Sequence, residues 1–127
     1  MASDVRAVDY LAALEFRKLL IADFDAAFSR VDAILAPTTP IPAPQLDQKL
    51  ARIGAEEEPV RAALLRLNRP ANYTGHPAIS IPCGFTPSGL PVGLQLIGRS
   101  FDEPTLLRLA LFFEHSHPSH SRHPSSL

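Results

Sequence analysis

The sequence is poor in most features that would announce a class of partner. It holds one cysteine, Cys83, in 127 residues, so no internal disulfide can form and a reducing compartment is expected. No charge of one sign dominates. Twelve Lys and Arg stand against 13 Asp and Glu, a net charge of −1, which excludes the basic field of a nucleic-acid or anionic-membrane binder. No apolar run approaches the ~20 residues of a bilayer span. The start, Met1-Ala-Ser-Asp-Val-Arg6, lacks an apolar signal core, so the expected location is cytoplasmic. Glycine is scarce at 6 residues, whereas proline reaches 13, about twice the usual ~5%. With 46% hydrophobic residues, that proline implies sharp element boundaries rather than disorder. What remains is one globular unit, long enough to bury about two-thirds of its unfolded surface.

Residues 4–31 read as a long helix with two apolar lines. One is Phe16, Leu20, Phe24 and Phe28; the other is Leu11, Leu14 and Ile21. Either the helix expects neighbours on two sides, or it buries one broad face in a small core. Val31–Ala36 is a short apolar run consistent with a buried strand, ended by Pro37. Pro37-Thr-Thr-Pro-Ile-Pro-Ala-Pro44 is locked near extended geometry and reads as a rigid loop, with a polyproline ligand as the other reading. Residues 45–59 are polar and read as an exposed connection, followed by a short helix from Val60 to Leu67. Ala78–Gly84 begins as a strand that Pro82 interrupts. Thr86–Pro91 has turn chemistry, and Val92–Gly98 returns as a strand. Glu103–Glu114 reads as a helix with Pro104 in its first turn. The His/Ser/Pro-rich segment 115–127 has nothing to bury and reads as a disordered tail.

Motif by motif, the residues offer no convincing catalytic constellation. Gly93-Leu-Gln-Leu-Ile-Gly98-Arg-Ser100 mimics a phosphate loop, yet its interior reads as strand and Arg99 replaces the lysine. Asn72-Tyr-Thr74 is formally a glycosylation acceptor with no secretory context. The tail histidines His115, His117, His120 and His123 match no closed metal site, so neither metal nor cofactor is expected. Cys83 reads as a small buried hydrophobe, and His76 as a loop residue with no evident partner to activate it. No G-x-S-x-G, H-E-x-x-H or S-x-x-K motif occurs. Gln95 is the one polar side chain of its strand and is expected to bond backbone.

Three blocks, in order, resemble one family. Phe28-Ser-Arg-Val-Asp32-Ala-Ile-Leu-Ala-Pro37-Thr-Thr-Pro40 is similar to its D-x-L-L-x-P-T-x-P segment. Arg69-Pro-Ala-Asn72-Tyr-Thr-Gly75-His-Pro77-Ala-Ile-Ser-Ile-Pro82-Cys-Gly84 is similar to its P-x-N-x-x-G-x-P-A-x-S-x-P-x-G segment. Ser88-Gly-Leu-Pro91-Val-Gly-Leu-Gln95-Leu-Ile-Gly98-Arg-Ser-Phe101-Asp-Glu103 is similar to its G-L-P-x-G-L-Q-x-I-G-x-x-x-x-E segment. The family is that of the amidase signature enzymes, which includes amidases and a component of the tRNA-dependent amidotransferase. Its members are several times longer, and these blocks form their C-terminal end. The resemblance implies an α/β fold, residues 1–114 being the C-terminal part of a mixed-sheet domain with helices packed on a partial sheet.

The resemblance also implies serine acylation by a Ser-Ser-Lys set that lies upstream of the region present here. No catalytic residue is therefore assigned, and the chain alone is expected to be inactive. Lys18 and Lys49, its two lysines, stand in no matching motif. The implied partners are a small-molecule amide in the full-length enzyme and the N-terminal part of the same fold. Self-association is expected when that part is absent. Asn72, Thr74 and Gly75 are the candidate substrate-side residues, with a turn held by side-chain hydrogen bonds as the competing reading. Asn68 stands where members commonly have threonine. Leu65, seven positions before Asn72, stands where glutamine-using members carry an acid that pairs with the substrate's ammonium. A leucine there points to a less polar amide. A non-catalytic interaction module, using bare helix faces and the Pro37–Pro44 loop, is the alternative.

Overall fold

A computed structural model of the chain describes residues 4–117. Helix α1 (Ala7–Phe28) leads into strand β1 (Ala33–Pro37). A hairpin of β2 (Leu50–Ile53) and β3 (Glu56–Pro59) follows, then α2 (Val60–Arg66) and α3 (Arg69–Thr74). The chain ends with β4 (Ala78–Phe85), β5 (Pro91–Gly98) and α4 (Glu103–Ser116). Strands order β1-β5-β4 in a three-stranded sheet, antiparallel at both pairings. The register Ile34↔Ile97 and Ser80↔Gln95 sets which residues share a face. A shift between Pro82 and Gly84 marks an irregularity in the ladder, where proline has no N–H to give.

Adjacent residues of β5 point to opposite faces, and each face has its own core. On one side Leu96 and Ile81 pack with Leu106 and Ala110 of α4, flanked by Ile79, Leu94 and Phe113. On the other, Ile97 packs with Phe28 of α1 and Ala71 of α3, flanked by Phe24 and Ile34. Gly98 is needed at the α4 crossing: a Cβ there would lie 2.8–3.1 Å from three carbons of Leu106. Gln95 is buried and donates from Nε2 to the Leu67 carbonyl at 3.1 Å, a backbone partner as expected, though one distant in sequence.

Four expectations shift. Residues 45–59 are not wholly an irregular connection, since they contain the β2–β3 hairpin turning at Gly54, whose φ is +64°. The hairpin gives little signal because Glu56-Glu57-Glu58 has no apolar alternation. Instead Ala51 is buried opposite Glu58, and Arg52 lies opposite Glu57. The helix expected over Val60–Leu67, with Pro70 as its breaker, is followed directly by a second helix, α3, because Pro70 sits in the first turn of α3, where its missing N–H costs nothing. His115 and Ser116 extend α4 beyond Glu114, and the His117 ring stacks on Phe113 at 4.2 Å. The remainder of the predicted tail, 118–127, lies outside the described residues. Of the two α1 lines, Phe28 is buried and Leu20, Phe24, Leu14 and Ile21 are half-buried, whereas Leu11 and Phe16 are exposed. No described helix is long and apolar enough to cross a membrane.

Candidate functional site

The three candidate residues are near neighbours in sequence and differ in their surroundings. Asn72 and Thr74 belong to α3 rather than to a loop. Gly75 caps that helix in the left-handed region at φ 86°, its N–H bonding the Ala71 carbonyl at 2.8 Å. The cap explains the glycine, since other residues rarely hold that φ. Thr74 is buried and donates to the Pro70 carbonyl at 2.9 Å, so its hydroxyl is consumed within its own helix. Asn72 lines an open groove together with Leu20, Arg66, Arg69, Pro70 and Tyr73.

That groove is braced by contacts which the sequence does not announce. The Tyr73 hydroxyl donates to the Ala13 carbonyl at 2.5 Å, and Arg17 Nε donates to the Tyr73 carbonyl at 2.6 Å. Two reciprocal bonds thus tie α3 to α1. Asn68 Nδ2 lies 3.2 Å from the Thr38 carbonyl and 3.1 Å from that of Leu64, linking the α2–α3 junction to the proline-rich segment. Beyond it, Thr38 Oγ1 and Ser80 Oγ meet at 2.6 Å over Gly93, where a Cβ would come within 2.7 Å of Thr38 Oγ1. Each contact spans at least 30 residues of sequence, apart from Asn68–Leu64. No local pattern could have revealed them.

His76 requires a correction. It is not a partnerless loop residue: it is buried, wedged between Phe24 and Phe28 at ring distances of 5.3 and 5.2 Å. Its Nε2 lies 3.3 Å from Asp25 Oδ1, while Nδ1 is buried without a hydrogen-bond partner. His76 does lie in the loop between α3 and β4; the expectation of no partner fails because its partner comes from α1, 51 residues upstream at Asp25. Cys83 is half-buried, its Sγ 3.4 Å from the Val92 carbonyl, and no arrangement pairs it with His76. Lys18 is engaged on the surface with Glu15 at 2.7 Å. The Pro37–Pro44 loop borders Pro91 and Val92 at the start of β5, with Thr39 Oγ1 donating to the Ile41 carbonyl at 2.8 Å. Among the described residues no cluster of three or more metal-ligating side chains occurs.

The amidase family matches residues 1–107. Over 109 residues the chain is 47% identical to the A subunit of a glutamyl-tRNA(Gln) amidotransferase from Myxococcus xanthus, covering 85% of this chain and 21% of that protein. Over 116 residues it is 47% identical to the protein of the same name from Methanosarcina acetivorans, covering 91% and 23%. A solved amidase superposes with a TM-score of 0.84 at 29% identity, covering 89% of this chain and 26% of that one. The solved A subunit of the Thermotoga maritima amidotransferase matches with a TM-score of 0.69 at 34% identity, covering 86% and 23%. The chain therefore spans about a fifth to a quarter of the relatives it matches.

Proposed function

The chain belongs to the amidase family, and we propose that it serves as the C-terminal segment of an enzyme cleaving carboxamide C–N bonds through a serine acyl-enzyme. In this reading the chain supplies no nucleophile, base or oxyanion donor. It buttresses a catalytic core carried by the preceding polypeptide and walls one side of the substrate channel through the Asn72 groove. The observation carrying the reading is the pattern of exposure. Leu11 and Phe16 of α1 are each 60% exposed, and Phe112 of α4 is 73% exposed, on opposite sides of one sheet. Bare apolar groups on both faces call for a larger layered fold around them.

Leu65, on a groove separate from that of Asn72, bears on the substrate only through the family resemblance. It sits on α2, lining a groove with Pro59, Val60 and Leu64, and offers nothing to a substrate's ammonium. An amide less polar than glutamine suits it. The interaction-module alternative draws less support, because the proline loop lies along β5 rather than projecting as a ligand would.

Complementation tests the proposal. The N-terminal three-quarters of the Myxococcus relative, supplied as a separate polypeptide, should associate with this chain and hydrolyse benzamide in preference to glutamine. The chain alone should hydrolyse neither. Turnover by the rigorously purified chain, or failure of the two parts to associate, overturns it.

A further inference from the structure

We propose that the groove between α1 and the α2–α3 junction binds a small amphipathic carboxylate, its apolar body on Leu20 and Pro70 and its anionic end on Arg69. The groove is open to solvent and has a volume of about 440 Å3, a size that suits a small ligand. Its lining is mostly apolar, with Leu20, Pro70 and Tyr73 joined by the exposed residues Arg66, Arg69 and Asn72. The cations are not equivalent. Arg66 Nη2 is already committed to Glu58 Oε2 at 2.8 Å. Arg69 has no side-chain partner among the described residues, and neither has the Asn72 amide beside it.

An uncommitted guanidinium at the rim of an apolar groove favours a planar anion, which it can grip through two parallel hydrogen bonds. A neutral isostere of the same shape would fill the groove and leave that charge unpaired. The wall is set before any ligand arrives: Tyr73 is held from both ends, by Ala13 at 2.5 Å and Arg17 at 2.6 Å. A preformed wall lowers the ordering cost of binding. This assignment rests on the same Asn72 groove that the proposed function places along the substrate channel, and because its test reads binding by the chain alone, it can fail while amide cleavage on complementation stands.

The chain has no tryptophan and two tyrosines, Tyr10 and Tyr73, so a Tyr10→Phe variant reports from Tyr73 alone. Its emission is followed while 4-phenylbutyrate or the uncharged 4-phenylbutyramide is added at constant ionic strength. The acid should give a saturable change and bind about tenfold more tightly than the amide. Arg69→Gln should abolish that preference, and Arg69→Lys, which keeps the charge but not the fork, should reduce it. Arg61→Gln, which removes a cation of α2 outside this groove, should leave it intact. Circular dichroism checks that each variant retains the parent's helix content. Equal affinities, an amide that outbinds its acid, a preference surviving Arg69→Gln, or no saturable change would each overturn the proposal.

Discussion

The two long helices lie on opposite faces of one sheet and are held there by different means. Helix α4 is anchored by hydrocarbon: Leu106 and Ala110 are 3% and 5% exposed against Leu96 and Ile81. Helix α1 buries only Phe28 fully, at its last turn. Half-buried Phe24 packs beside it, and polar clasps fasten the helix, Arg17 and Ala13 to Tyr73, Asp25 to His76, and Arg99 to the Phe28 carbonyl at 3.0 Å. A helix can therefore be richly apolar and still owe much of its place to hydrogen bonds. Under the proposed function, the apolar surface of α1 is the face turned towards the catalytic core.

The contrast breaks most sharply through core truncation. Leu106→Ala should cost about 2–5 kcal/mol and remove much of the cooperativity of unfolding. Leu11→Ala, an equal truncation at a 60% exposed site, should change stability by no more than about 0.5 kcal/mol. Urea denaturation of both variants measures the pair. A comparable loss in Leu11→Ala would mean that the α1 face is already covered, by a second copy of the chain. Light scattering detects that association, and replacing Leu11 and Phe16 by serine should then weaken it.

Adding volume probes the same crossing from the other direction. Gly98→Ala places a methyl group within 2.8 Å of the branch carbon of Leu106, which is buried and has no free direction to yield. A loss of about 1–3 kcal/mol is expected by thermal unfolding. Unchanged stability would show that α4 can slide on the sheet, and would make its anchoring resemble that of α1.

These differences also mark what the sequence could tell. The β4–β5–α4 unit is legible because its signals are local: turn chemistry at Thr86–Pro91, alternation along Val92–Gly98, and Pro104 opening an amphipathic helix. The α1 side is not, because its contacts join residues 50 or more positions apart. Of the candidate site, Asn72 stands out through family resemblance and faces a groove. Thr74 and Gly75 serve α3 itself. Arg69, at the same groove, carries no signal in sequence, since an arginine before a proline is indistinguishable from surface charge.

A smaller effect is expected at Arg99. Its Nε bonds the Phe28 carbonyl, and Nη2 reaches both the Val31 carbonyl at 3.2 Å and Asp32 Oδ1 at 3.1 Å. Three acceptors around the end of α1 are thus gathered by one fork. Arg99→Ala should cost on the order of 1 kcal/mol, because the group is partly solvated. Amide exchange should quicken through the last turns of α1 while α4 keeps its protection. Equal quickening in α4 would mean that the two faces open together and that the polar and apolar anchors form one cooperative unit.

The smallest effect lies at the free end of α1, where no packing contributes. Arg6 Nε and Nη2 grip the Asp9 carboxylate at 2.8 and 2.9 Å, holding its pKa below the usual carboxylate range. Because the folded value is depressed, the pair supports the helix above the unfolded pKa of Asp9 and loses that support as pH falls through the folded value. Asp9 also lies in the first turn, where a negative charge favours the helix N-terminus. Carboxyl-carbon NMR should therefore report a depressed Asp9 titration, accompanied by a slight loss of order at residues 7–10 as acid is added. Both groups are fully exposed, so salt at about 1 M should erase most of the shift. Asp9→Asn should remove the pH dependence of this turn without altering α4. A larger response, reaching the Tyr73 clasp, would show that α1 is fastened as one rigid rod, and its polar attachment would then rival the hydrocarbon seam of α4 in cooperativity.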